Sequence, residues 1–126
     1  MSQLIFIIED DWVMADCLAQ VLSAQGNYRV QTFSNALSAM AALNEELPNL
    51  IVLDVLLGGP DGFTFLNELI SYQDTARIPV VIASSLDFKH QELGHYGVVE
   101  VLNKETMTPQ SLFVAVQRGL EGAHAV

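Results

Sequence analysis

Four places in the sequence put chemically able side chains directly after a short apolar run. Glu9, Asp10 and Asp11 follow IFII, Asp54 follows LIVL, Ser84 and Ser85 follow PVVIA, and Lys104 follows VLN. Runs of this length, rich in β-branched residues, read as buried strands. Carboxylates gathered at the ends of neighbouring strands repel one another, so the cluster is costly unless a cation sits among them. Mg²⁺ suits such a site, because it takes a few carboxylates, keeps waters and leaves positions open for phosphoryl oxygens. A carboxylate fixed at the end of a strand, as Asp54 would be, can act as a nucleophile and form an acyl phosphate. Phosphoryl transfer then asks mainly for placement and for neutralisation of the transferred oxygens. The metal would serve one oxygen, the Lys104 ammonium a second, and the Ser84 hydroxyl with nearby backbone N–H groups a third. The sequence offers no stronger base and no deep apolar substrate pocket, so the expectation is self-modification rather than a turnover enzyme.

These residues act together only if the elements bearing them are neighbours. Strands are expected at Leu4–Ile8, Tyr28–Phe33, Leu50–Leu53, Pro79–Ala83 and Val98–Leu102. Amphipathic stretches between them predict helices at Trp12–Gln25, Asn35–Glu45, Gly62–Gln73, Phe88–His95 and Pro109–Glu121. Ser34 and Asp61 are candidate caps of the second and third helices, Asp11 of the first, and Thr108 precedes a first-turn proline. Strict strand–helix alternation implies an α/β fold. The first, third and fourth strands are continuously apolar, as in the middle of a parallel sheet, whereas Tyr28–Phe33 alternates and belongs at an edge. Right-handed crossovers then favour a doubly wound five-stranded parallel sheet in order 2-1-3-4-5, a flavodoxin-like three-layer sandwich. Ligands in such sheets bind beyond the carboxyl ends of the strands, where the four groups stand.

The bulk properties narrow the function. At 126 residues the chain reads as one domain, 1–126, and 51% hydrophobic content is enough for its own core. A net charge of −10 disfavours direct binding to nucleic acid or to an anionic membrane, leaving proteins and cations as partners. The single Cys17 excludes an internal disulfide and, beside Met14, Leu18, Val21 and Leu22, is expected to be buried. No signal peptide or membrane-length apolar stretch is legible, so the cytoplasm is the expected compartment. His90 and His95 are not at metal-pair spacing and read as surface residues. Trp12 either borders the acidic cluster or packs the first helix.

IFIIEDD, PNLIVLDVLLGGPDG, IPVVIASS and VLNK together resemble the receiver domain of two-component response regulators, and the resemblance covers nearly the whole chain. It implies that Glu9 and Asp10 hold Mg²⁺ with Asp54, that the backbone carbonyl of Leu56 is a further ligand, and that Asp54 is the phosphoacceptor. Ser84 and Lys104 match the residues that contact the phosphoryl group. The implied partners are a histidine kinase or phosphotransfer protein and a downstream protein target, with a homodimer also compatible. Three features depart from the family pattern: Glu105 follows the lysine where proline is usual, Val101 stands where a switching aromatic residue is common, and the stretch from Ser84 to Lys104 is about two residues shorter than is common. They favour an alternative, a degenerate receiver acting as a phosphorylation-independent interaction or dimerisation module. A metal-dependent phosphatase with Asp54 as nucleophile wants a second Asp two residues on, where Leu56 stands. A flavodoxin-like binding domain with acidic loops would leave Asp54 and Lys104 unexplained.

Overall fold

The computed structural model describes residues 3–55, 61–85, 93 and 96–124. Five strands, β1 (Leu4–Ile8), β2 (Arg29–Phe33), β3 (Leu50–Leu53), β4 (Val80–Ser84) and β5 (Val98–Asn103), form one parallel sheet in order β2-β1-β3-β4-β5. Every residue of β1, β3 and β4 is buried, while β2 is largely exposed at its edge. The alternation of side chains along a strand divides the core into two layers. Leu4, Phe6 and Ile8 point to one face, packed with Ile51, Leu53, Phe65 and Leu66. Ile5 and Ile7 point to the other, packed with Val52, Leu18, Leu22, Leu112 and Val116. Helices on both faces therefore complete the expected three layers.

Among the described residues the helices with defined bounds are α1 (Trp12–Gly26), α2 (Ala36–Leu43), α3 (Asp61–Ile70), a single turn α4 (Gln73–Ala76) and α5 (Pro109–His124). Asp11 caps α1 as expected, accepting from the N–H groups of Val13 and Met14 at 3.0 and 3.3 Å. Asn27 ends that helix at φ 55°, a left-handed cap that asparagine tolerates. The cap of α2 is Asn35 rather than Ser34: its Oδ1 accepts from Ser38 N–H at 2.8 Å, the geometry that a cap needs three residues into the turn. Thr108 and Ser111 cap α5 reciprocally, each side-chain oxygen accepting the other's N–H at 3.0 and 2.8 Å. The described part of α3 begins at Asp61, whose side chain, and with it the expected cap, lies outside the described residues.

The third helix ends before the expected Gln73. Ser71 N–H tightens onto Glu68 carbonyl at 3.1 Å, and the buried Thr75 hydroxyl donates to the Leu69 carbonyl at 2.6 Å. A free carbonyl at the end of α3 is thus satisfied by a side chain from the next turn, which breaks the chain into α3 and α4. Cys17 is exposed, against expectation. The buried stripe of α1 runs through Ala15, Leu18 and Leu22, and Cys17 falls off it. Of the expected helix Phe88–His95 only Leu93 is described, helical and buried; His90 and His95 lie outside the described residues.

Candidate functional site

The sheet's hydrogen-bond ladder runs one residue past the strands and brings the chemical groups to one edge. Glu9 N–H donates to Phe33 carbonyl at 2.9 Å, Asp54 N–H to Ile8 carbonyl at 3.0 Å, and Lys104 N–H to Ser84 carbonyl at 2.9 Å. Glu9 and Asp54 are consequently buried, at 2% and 6% exposure, while Asp10 is exposed at the mouth. One carboxylate oxygen from each of the three lies within 4.8 Å of the others. Ser84 is buried at the end of β4, paired in register with Asn103 of β5. Lys104 Nζ is 2.9 Å from Asp54 Oδ2 and forms a second ion pair with Glu9 Oε1. The expected Glu9, Asp10, Asp54, Ser84 and Lys104 are thus gathered at the carboxyl ends of adjacent strands. Leu56 lies outside the described residues.

Burial pushes the Glu9 carboxyl above the ordinary glutamate range, and the Asp54 charge adds to the effect. The Lys104 hydrogen bond and charge and the Asp11 N–H oppose it without cancelling it. For Lys104, burial works to depress the ammonium, but the hydrogen bonds and charges of Glu9 and Asp54 outweigh it and hold the group above the ordinary lysine range. An internal cation is therefore clamped between two buried acids. Glu9 Oε1 is buried and has the Lys104 ammonium as its counter-charge. A divalent cation would complete that balance. Glu9, Asp10 and Asp54, each with a carboxylate oxygen within 4.8 Å of the others, would be the residues to hold it. The donor set, all hard oxygen, fits that ion.

Two further residues position the site, Asn103 with no role assigned from sequence and Gly62 within the GGPDG run. Asn103, just before the lysine, holds the turn after β5: its Oδ1 accepts Glu105 N–H at 2.8 Å and its carbonyl accepts Met107 N–H at 2.8 Å. This turn aims Lys104 without a proline at 105. An asparagine ahead of a turn is a weak sequence signal that could have pointed to it. Gly62 is the other, because a Cβ there would run into the Val55 backbone, one residue beyond Asp54. Val101 is half-buried against the core and carries no ring. Trp12 is 77% exposed and lines a groove between α1 and β2 together with Glu9, Ala15 and Ala19.

Comparison with known proteins places this geometry. The family model of the response regulator receiver domain matches residues 5–117. A protein-glutamate methylesterase/protein-glutamine glutaminase of Chromobacterium violaceum is 36% identical over 109 residues, which cover 82% of this chain but 30% of that protein. Response regulator PleD of Caulobacter vibrioides is 36% identical over 87 residues, 69% of this chain and 19% of that protein. The chain thus spans about a third or less of these curated relatives' length and matches only their receiver part. Among solved structures, the receiver domain of NtrX from Brucella abortus superposes with a TM-score of 0.78 at 28% identity, covering 93% of this chain and 98% of that one. Among the described residues no helix is long and apolar enough to cross a membrane. A five-stranded 2-1-3-4-5 sheet with an acidic cluster and a lysine at its carboxyl edge, matched from residue 5 to 117, makes the chain a member of the response regulator receiver domain family of two-component signalling.

Proposed function

We propose that residues 1–126 act as one receiver module that accepts a phosphoryl group on Asp54 from a histidine kinase or phosphotransfer protein, in the cytoplasm, and then changes affinity for a protein target. The observation that carries this reading is the Lys104 ammonium 2.9 Å from Asp54 Oδ2 inside a buried acidic cluster. Asp54 would attack phosphorus through a carboxylate oxygen; the bond to the donor nitrogen breaks, and the imidazole leaves with its electron pair and takes a proton. Glu9, Asp10 and Asp54, with the Leu56 carbonyl, would hold Mg²⁺, which when bound neutralises charge on the transferred oxygens. Lys104 would exchange its bond to the carboxylate for one to a phosphoryl oxygen, and Ser84 would offer its hydroxyl to another. Binding and orientation by fixed charges carry most of such a reaction. The module modifies itself and does not turn over a substrate.

Of the departures behind the degenerate-receiver alternative, the one at Glu105 is met by Lys104 reaching Asp54 from a turn held by Asn103, while Val101 still stands where an aromatic residue is common. Treatment with a small phosphodonor such as phosphoramidate in Mg²⁺, followed by intact mass, should show one added phosphoryl group. It should be absent from Asp54→Asn and be released by mild base. Full incorporation into Asp54→Asn, or none into the parent, would overturn the assignment.

A further inference from the structure

At the end of the sheet away from the acidic cluster, α2 and the α3–α4 corner enclose a groove of about 340 Å³. Leu43 and Leu47 come just before β3 begins, and Tyr72 and Asp74 just before β4, so the groove sits at the amino ends of those strands. Its floor is Met40, Leu43, Phe65 and Leu69, and Leu47 and Tyr72 stand on the rim, Tyr72 60% exposed. Two exposed carboxylates, Glu68 and Asp74, line it, and neither is ion-paired among the described residues. Glu46 on the same side is paired with Arg29 at 2.6 Å.

We propose that this groove docks a helical segment of a partner protein that presents a large apolar side chain with Lys or Arg one turn away. The volume suits one or two side chains, and a groove between helices is the usual seat of an amphipathic helix. Met40 gives the floor a thioether that can adapt to the anchor's shape. The unpaired acids select a cation beside the anchor. Charge decides against the other occupants: nucleic acid, anionic lipid and a second copy of this chain, itself at −10, would all bring negative charge to Glu68 and Asp74. No groove residue belongs to the Asp54 site, so this contact tethers a partner whatever the state of Asp54.

The test is a titration of the full ¹⁵N-labelled chain with a synthetic helix of about 15 residues carrying two leucines four apart and an arginine one turn to either side. Amide shifts should concentrate at Met40–Leu47 and Glu68–Thr75 and be the same in Asp54→Asn. Glu68→Gln with Asp74→Asn should weaken binding about fivefold, and Tyr72→Ser should weaken it further. All three positions are exposed, and an unchanged thermal midpoint checks that the fold is intact. Equal binding by a peptide of the same composition scrambled off the helical stripe would overturn the proposal, as a generic polycation on an acidic surface. So would groove shifts that grow with protein concentration alone, which identify a second copy, or no groove shift at millimolar peptide.

Discussion

Lys104 is the one described residue whose charge both buried acids share, and its contribution depends on their remaining ionised. With its side chain 16% exposed against acids at 1% and 7%, screening by water is weak. Lys104→Met should destabilise the metal-free domain by about 3 kcal/mol, since two buried carboxylates lose their counter-charge. Urea unfolding measures this, and saturating Mg²⁺ should restore part of the loss; a loss untouched by Mg²⁺ would separate the lysine from the cation site. Glu9 supplies a pH signature. Its carboxyl titrates above the ordinary range because it is buried, so the fold binds its proton more tightly than the unfolded chain does. That contribution to stability is full below the ordinary glutamate pKa and is lost as pH rises through the raised value. A metal ligand must be ionised, so stabilisation by Mg²⁺ should follow the opposite course. At one fixed Mg²⁺ concentration the rise in Tm should therefore be smaller near pH 5 than near pH 8, and a hundredfold excess of Mg²⁺ over its Kd should add about 2.7 kcal/mol to the unfolding free energy. An equal rise at both pH values would remove Glu9 from the ligand set.

At the level of elements, the site is built where ladders end. β1, β3 and β5 each hand their last hydrogen bonds to a neighbour through Glu9, Asp54 and Lys104, so the backbones under all three side chains are fixed. The entry of α3 approaches this edge closely, since a Cβ at Gly62 would clash with Val55 Cα. Phe65, Leu66 and Leu69 are buried in the core and hold the helix in place, so a side chain at Gly62 cannot be accommodated by moving α3 alone. Gly62→Ala should cost about 1–3 kcal/mol by overpacking and should shift Val55 and with it Asp54. Its rate of phosphodonor labelling should fall more than that of a variant equally destabilised at α5, such as Ala115→Gly. Equal rates in the two variants would mean that the close approach serves packing only.

On the scale of the whole molecule, a change at Asp54 has to travel through whatever can rearrange. Ser84 sits at the end of β4, and a new phosphoryl oxygen would draw its hydroxyl by a charge-assisted hydrogen bond. Val101 is half-buried and packed, with neither ring nor hydroxyl to exchange between inward and outward positions. The route should therefore leave through the β4–β5 connection, with a modest coupling of about 1–2 kcal/mol. Hydrogen exchange with and without beryllofluoride should show larger changes at Ser85 and Leu93 than at Val101 or along α5. A dominant change in α5 would point to a different route.

The sequence by itself determined the class of sheet, its strand order and the set of chemical residues. Buried parallel strands must be continuously apolar, and each here ends abruptly in a charged or hydroxyl side chain; the edge position of β2 was legible in the same way, from Arg29 and Gln31. The ends of helices were less legible, because capping depends on which of two adjacent polar residues reaches the third N–H, and Asn35 does so where Ser34 does not. The break between α3 and α4 depends on a buried Thr75 hydroxyl returning to Leu69, a contact that no periodicity encodes. Cys17 sits three residues from Met14 in a pattern that reads as apolar, yet only the packed face of α1 decides which of those residues meets the sheet. The aim of Lys104 was likewise a tertiary matter. A lysine's reach is set by the backbone that carries it, and here that backbone is pinned by Asn103 on one side and by Ser84 of the neighbouring strand on the other.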